Sequence, residues 1–437
     1  MIYFIMVFLI VSIIIVVFSE KKIVNPIVLF AGIWLISIFL SSLKLYNMID
    51  YSEKAIRIIS EGIIAFIIGA FMMMYIAQKK YKSYENKKNN EFLNNRVLFI
   101  LISMSLVMVL ILSIKVAVLL KNGVNYNEIR KLYYSYGYGS LISNEKIYTL
   151  FDWTTSMVIT LTTPTIIVGI INKKVNKLLV FEYVIMVSLY TFSTSGRSVI
   201  FVIAIELVLA LLLNKEKLNK KIKILSKIFL IISLILIILM TAIRTSNVKN
   251  KNVNAFYAYF SLPLPYFSKL VDYIDNQDVN TYGVATAYGP YLLVQKGFKI
   301  ITGYKFSKAE NLADIITKPQ TYWVRVFEDT TDYYNAYSTM FYNFYLDFKD
   351  IGVIGISFFY GMFMEFVYQR AKKQKTMKEN VLYLIFANGV IKSFASWQFA
   401  TPAIILALLV LNILFKERKQ KDGKSIGIWN DRESRWS

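Results

Sequence analysis

Long apolar runs separated by polar, mostly basic connections dominate the pattern of this chain. They fall at about 2–18, 26–43, 58–77, 97–120, 151–171, 178–192, 197–213, 228–243, 351–368, 381–397 and 402–415. Each has the length of a bilayer-crossing helix. The runs are continuous rather than alternating, so they predict helices and not the strands of a barrel. The expected architecture is an all-α polytopic membrane protein of about 11 transmembrane helices. An N-terminal bundle of about eight spans occupies 1–243, with a medium-length outer loop at 121–150. A long segment at 244–350 has no span. Three more spans lie in 351–415, and a polar, basic tail covers 416–437. The first run lacks a basic leader and a small-residue cleavage site, which predicts a retained helix. Pro26 opens the second run, where a missing N–H is tolerated.

The segment 244–350 is too long for an ordinary loop and too aromatic for a disordered one. Stretches 256–274 and 288–301 predict short interfacial helices, with Pro263 and Pro265 interrupting the first. The expectation is a folded cap lying on the membrane. The pattern from Phe341 to Leu346 suggests that the helix of the ninth span begins before residue 351.

Composition sharpens this picture. Of 437 residues, 56% are hydrophobic, above the soluble average of about 45–50%. The net charge of +22 has two readings, nucleic-acid binding or a basic face on one side of a membrane. Its distribution decides. One set of alternate connections carries 29 of the 50 lysines and arginines in short loops, and the other, much longer, carries 19. The positive-inside rule then puts the N-terminus outside, the C-terminus in the cytoplasm and the cap outside the cytoplasmic membrane. No nucleic-acid partner is needed. Abundant Ile, Lys, Asn and Tyr suggest a bacterial source. The chain has no cysteine and no histidine, which removes thiolate and imidazole chemistry. With no phosphate-binding GxxxxGK[ST] loop, HExxH or Asp-x-Asp pair in the outer loops, neither metal nor cofactor is expected.

Arginines at the outer ends of spans stand against the charge bias and are the first candidates for chemistry. Arg197 follows the tight turn Thr194-Ser195-Gly196 at the head of a span, where helix N-terminal amides also favour an anion. Arg244 follows the eighth run. Together they suggest a two-arginine clamp for a diphosphate, against the plainer reading of interfacial anchors. Arg130 and Arg325, in the two outer loops, are further anion-binding candidates. Asp347 lies at the mouth of the ninth span and is a candidate general base. A carboxylate capping a helix N-terminus explains it as simply, and Glu328, Asp329 and Asp332 compete. Glu206, Glu365, Lys115 and Lys392 fall within spans, where charge is costly unless paired or near water. The tyrosines of the cap offer flat faces that suit sugar rings, although an interfacial aromatic belt accounts for many of them.

Several of these residues carry a resemblance. Asn335-Ala336-Tyr337-Ser338-Thr339, then Asp347-Phe348, Gly352 and Gly355 before an apolar run, resembles the late region of the bacterial oligosaccharide repeat-unit polymerases, the O-antigen polymerase or Wzy family. Asn25-Pro26-Ile27 with Trp34 is similar to that family's second span, and Ser195-Gly196-Arg197-Ser198 to its arginine at the head of a mid-chain span. The resemblance implies a metal-independent glycosyltransferase that moves a growing glycan from undecaprenyl diphosphate onto the next lipid-linked repeat unit, in O-antigen or capsule synthesis. Arg197 and Arg244 would hold the diphosphate, Asp347 would act as base, and Arg130, Arg325, Asn335 and Tyr337 would bind substrate. Implied partners are undecaprenyl-diphosphate-linked oligosaccharides, membrane lipids, a chain-length regulator and a flippase. The related ligases use an outer-loop histidine, which is absent here. Two other readings stand beside this one. One is a lipid-linked glycan flippase or other secondary transporter. The other is a membrane glycosyltransferase using a lipid-phosphate sugar donor, with Asp50 and Glu53 as its acids.

Overall fold

The computed structural model describes residues 1–80, 91–135, 140–196, 198–220, 222, 224, 226–228, 231, 253–303 and 307–417. The helices of the first half are α1 Ile2–Glu20, α2 Pro26–Ser42, α3 Glu53–Lys80, α4 Asn95–Lys121, α5 Tyr126–Tyr134, α6 Glu145–Ile171, α7 Lys177–Thr194 and α8 Ser198–Leu213. The cap contributes α9 Ala255–Ser261, α10 Pro263–Gln277, α11 Tyr288–Thr302, α12 Ser307–Ile316 and α13 Lys318–Thr321. The last helices are α14 Phe341–Gln374, α15 Met377–Lys392 and α16 Pro402–Leu414. Two short strands, β1 Glu91–Leu93 and β2 Phe415–Glu417, pair antiparallel at the end of the bundle away from the cap.

Six helices, α1, α3, α4, α6, α7 and α14, are long and apolar enough to cross a membrane, and α2, α8 and α16 are shorter and apolar. The chain is therefore an all-α membrane protein. The eighth apolar run lies almost entirely outside the described residues. Several helices begin earlier than the apolar runs. α3 starts at Glu53 and α6 at Glu145, each with an acidic residue in its first turn, which the helix dipole favours. α14 starts at Phe341.

Asparagine sets many of the starts. The side chains of Asn25, Asn94, Asn125, Asn144, Asn176 and Asn254 each accept a backbone N–H of the first turn of the helix that follows. Such a cap satisfies an amide that has no partner within the helix. Pro263 is the first residue of α10, so the cap breaks between α9 and α10 where the prolines predict.

The centre of the fold is the parallel pair of α3 and α14, in register from Arg57 beside Asp350 to Ala77 beside Lys373. A Cβ on Gly69 would stand 2.0 Å from the carbonyl oxygen of Phe358, and one on Gly361 would stand 2.0 Å from that of Phe66. Only glycine lets these two backbones approach so closely, the usual means of tight packing between membrane helices. Cap and bundle share one apolar core: Tyr266, Phe267 and Leu270 of α10 are fully buried in the same cluster as Trp34, Phe66 and Tyr368. The cap thus packs into the bundle instead of standing apart from it.

Candidate functional site

Arg197 and Arg244 both lie outside the described residues, but the turn leading to Arg197 does not. α7 ends at Thr194, and Ser195 adopts a left-handed conformation with φ of 52°. Ser193, Thr194 and Ser195 are buried, so the turn is set into the fold. Its neighbour is α5, a short amphipathic helix closed by a reciprocal cap between Asn125 and Glu128. The hydroxyl of Tyr126 donates to the carbonyl of Phe192 at 3.0 Å and ties α5 to the end of α7. This places Arg130 at the turn, where its Nη1 reaches the carbonyl of Ser195 at 3.5 Å. The guanidinium lies 5.2 Å from the ring centroid of Tyr134, a geometry that holds it by cation–π attraction.

The cap approaches the same place from the other side. Tyr337 packs edge-on against Tyr259, with ring centroids 5.7 Å apart. Tyr259 stacks on Phe201 in the first turns of α8 and meets Phe394 just beyond α15. Two of the expected substrate residues, Arg130 and Tyr337, are therefore brought to the head of α8. Two others are not. Arg325 closes its own loop, donating from Nε to the carbonyl of Thr330 at 2.7 Å and from Nη2 to that of Glu328 at 2.6 Å. The side-chain amide of Asn335 donates to the carbonyl of Gln320 at 2.5 Å. Both shape the cap.

Residues missed in the sequence complete the surroundings. Asp152, half-buried two turns into α6, lies within electrostatic reach of Tyr190 and Tyr133 on one side and Lys296 on the other. Lys296 comes from α11 of the cap. Its Nζ donates to Thr149 Oγ1 at 3.0 Å and lies 5.2 Å from the Trp153 ring centroid. Burial pulls this ammonium below its ordinary range, with the carboxylates of Glu145 and Asp152 opposing. Asp152 and Lys296 are far apart in sequence and carry no motif, so only the i, i+3 placement of Thr149 and Asp152 on one face of α6 hinted at them. Further along α8, Glu206 is buried and accepts a hydrogen bond from Asn388 at 3.3 Å. Lys392, one turn beyond Asn388 on α15, faces it electrostatically. The intramembrane charges Glu206 and Lys392 thus act on each other electrostatically, without a direct ion pair among the described residues. Lys115 donates to the carbonyl of Leu141 at 2.5 Å, as a lysine near a helix end does when it finds a polar partner.

Asp347 has a different setting from the one expected of a base. It is fully buried. Its Oδ1 accepts from Thr281 Oγ1 at 2.5 Å, Gly283 N at 2.8 Å and Ala285 N at 3.0 Å, and its Oδ2 accepts from Thr286 N at 2.7 Å. Every donor is in one cap loop, which Asn343 and Trp397 also hold through the carbonyls of Ala285 and Thr286. With both oxygens occupied, the carboxylate fastens the loop and has no free oxygen to turn to a substrate hydroxyl. Immediately after it α14 breaks, with Lys349 at φ of 52°, a conformation that costs a residue with a side chain of this kind free energy. Beyond the break Asp350 meets Arg57 at 3.0 Å, and Arg57 meets Glu61 at 3.3 Å. Asp275 accepts from Lys54 at 2.6 Å and from the Tyr345 hydroxyl at 2.8 Å. Burial alone would raise Asp275, but these bonds outweigh it and hold the carboxyl below its ordinary range. Among the competing acids, Asp329 accepts from the side chain of Asn47 at 2.7 Å.

Among the described residues no group of three or more acidic side chains is placed to hold a metal ion. No protein-family model matches the chain, and no curated protein or solved structure shows significant similarity to it.

Proposed function

We propose that this protein polymerises undecaprenyl-diphosphate-linked oligosaccharide repeat units on the outer face of a bacterial cytoplasmic membrane. The supporting observation is the convergence at the head of α8, where Arg130 from α5 and the aromatic wall of the cap meet the turn that leads into Arg197. In this reading the chain crosses the membrane about eleven times, with the cap outside and the C-terminus in the cytoplasm.

The reaction moves the growing glycan. The bond between its anomeric carbon and the diphosphate oxygen breaks, a bond to an acceptor hydroxyl oxygen forms, and the hydroxyl proton passes to a base. The diphosphate leaves as an anion, so cations fixed in a poorly solvated site supply the main stabilisation. Arg197, Arg130 and Arg244 fill that role. The base passes from Asp347 to Asp152, a half-buried carboxylate beside the tyrosines of α5 and α7. Tyr337 and Tyr259 give the sugar rings an apolar face.

Deletion of the gene in its own organism, with gel sizing of surface polysaccharide, tests this. Polymerase loss collapses the ladder to a single repeat, and Arg197→Ala does the same on complementation. Loss of all surface glycan with lipid-linked repeats trapped inside would show a flippase instead. Single-sugar truncation would show a glycosyltransferase of the lipid-phosphate type. A normal ladder with Arg197→Ala would remove the diphosphate clamp.

A further inference from the structure

The end of the bundle away from the cap carries a second polar recess. α1, α8 and α14 end there, and α15 begins there. The recess is open to solvent and is lined by Lys22, Glu216, Lys217, Lys372 and Lys375. Its wall between α8 and α15 is tied together, because Asn380 Nδ2 donates to Asn214 Oδ1 at 3.0 Å and Asn214 Nδ2 to the carbonyl of Ala210 at 3.0 Å.

Four ammonium groups meet here against two carboxylates. Lys372 pairs with Glu20, and Lys375 with Glu216 at 3.3 Å. The Glu216 pair is exposed, so water screens it and it neutralises little. Lys217 donates to Asn172 Oδ1 at 2.9 Å, which leaves two of its three protons for another acceptor. Lys22 makes no ion pair among the described residues. A lysine beside a helix C-terminus is favoured by the dipole, and that explains Lys372 and Lys375. It favours Lys22 and Lys217 as well, just past the ends of α1 and α8, but it does not set which way a side chain turns, and all four lysines from three segments line the same recess. Burial and the neighbouring charge of Lys375 pull the Lys217 ammonium below its ordinary range, with Glu216 opposing. The protein's own groups leave the recess positive.

We propose that this recess is a binding site for a phosphate-bearing anion. Lysines are compact point charges that suit phosphate oxygens, and basic recesses between membrane helices at a bilayer surface accept phosphorylated headgroups. The same chemistry fits an anionic lipid headgroup and a soluble phosphate. The site stands independently of the polymerase reading and is measured by binding alone.

The test uses the full-length protein in detergent and in nanodiscs. Bound phosphatidylglycerol is counted by native mass spectrometry, and the thermal shift with inorganic phosphate is measured beside it. Lys217→Gln with Lys375→Gln should weaken retention about fivefold for each lysine removed. Lys174→Gln with Lys177→Gln, at the same end but outside the recess, should leave it unchanged. Lys22→Gln alone, at a side chain with no ion pair to lose, gives a second reading that does not depend on the fold of the double variant. Loss of lipid retention in the recess variants supports a headgroup ligand. Loss of a phosphate-dependent thermal shift supports a soluble one. Unchanged binding of both in the recess variants, or an equal loss in the Lys174 and Lys177 control, overturns the proposal.

Discussion

Two regions under the cap hold charged side chains, and the groups at their centres are held differently. Around the break in α14, Asp347 accepts four hydrogen bonds and Asp275 two. At the head of α8, Arg130 reaches its carbonyl only at 3.5 Å, and farther along, Glu206 Oε2 on α8 and Asn388 Oδ1 on α15 have no hydrogen-bond partner among the described residues. A buried polar group that is left unsatisfied costs roughly 1–3 kcal/mol. The saturation belongs to Asp347 itself and not to its whole region, since Asp350 Oδ1 and Thr286 Oγ1 beside it have no hydrogen-bond partner among the described residues. The difference teaches that a carboxylate at the mouth of a span is not a base merely by position.

Breaking the anchor should have the largest effect. Asp347→Ala removes a buried carboxylate and strands three backbone amides and a hydroxyl, and at roughly 1–3 kcal/mol for each group left unsatisfied the expected loss is several kcal/mol of stability. Thermal unfolding of the solubilised protein measures this; a variant as stable as the parent would mean that the cap loop does not depend on Asp347. At the other region the outcome should invert. Asp152→Asn should keep stability within about 1 kcal/mol while lowering polymer formation about 10²–10⁴-fold. The readout is the length distribution of surface glycan beside an unfolding curve. Full-length ladders from Asp152→Asn would return the base role to another acid.

Smaller effects sharpen the same contrast. Lys296→Met removes a half-buried cation between cap and α6, and should shift the glycan ladder toward shorter products without changing the unfolding midpoint by more than a few degrees. An unaltered ladder would confine Lys296 to packing Trp153. The smallest expected effect is a pH dependence at the anchor. The Asp275 carboxyl is held below its ordinary value, so its contribution is fully present above the unfolded pKa of about 3.9 and is lost as pH falls through the lower folded value. Stability should therefore drop more steeply below about pH 4 in the parent than in Asp275→Asn. Parallel curves would show that the Lys54 and Tyr345 bonds contribute nothing net.

Much of the helical layout was legible along the chain. Apolar runs of bilayer length, asparagine or proline at their starts and the proline break near Pro263 are local signals, and local sterics and desolvation act on them whatever lies across the fold. The aromatic richness of the cap was equally plain, though not which tyrosine meets which helix. The candidate site was less legible. Tyr337 and Arg130 reach the head of α8 through Tyr259 and Ser195, contacts between residues more than sixty positions apart. Asp152 and Lys296 carried no signal strong enough to single them out, because a lone acid in an apolar helix and a lone base in a loop have many uses.

The chain by itself determined a helical membrane protein, because an apolar run of this length has no other way to satisfy its backbone in lipid. It also determined the absence of thiol and imidazole chemistry. Only the tertiary structure decided that Asp347 is an anchor, that Glu206 and Lys392 face each other, and that four lysines from three segments share one recess. Hydrogen bonds and charge pairs depend on distances of a few ångströms between residues remote in sequence, and packing sets those distances.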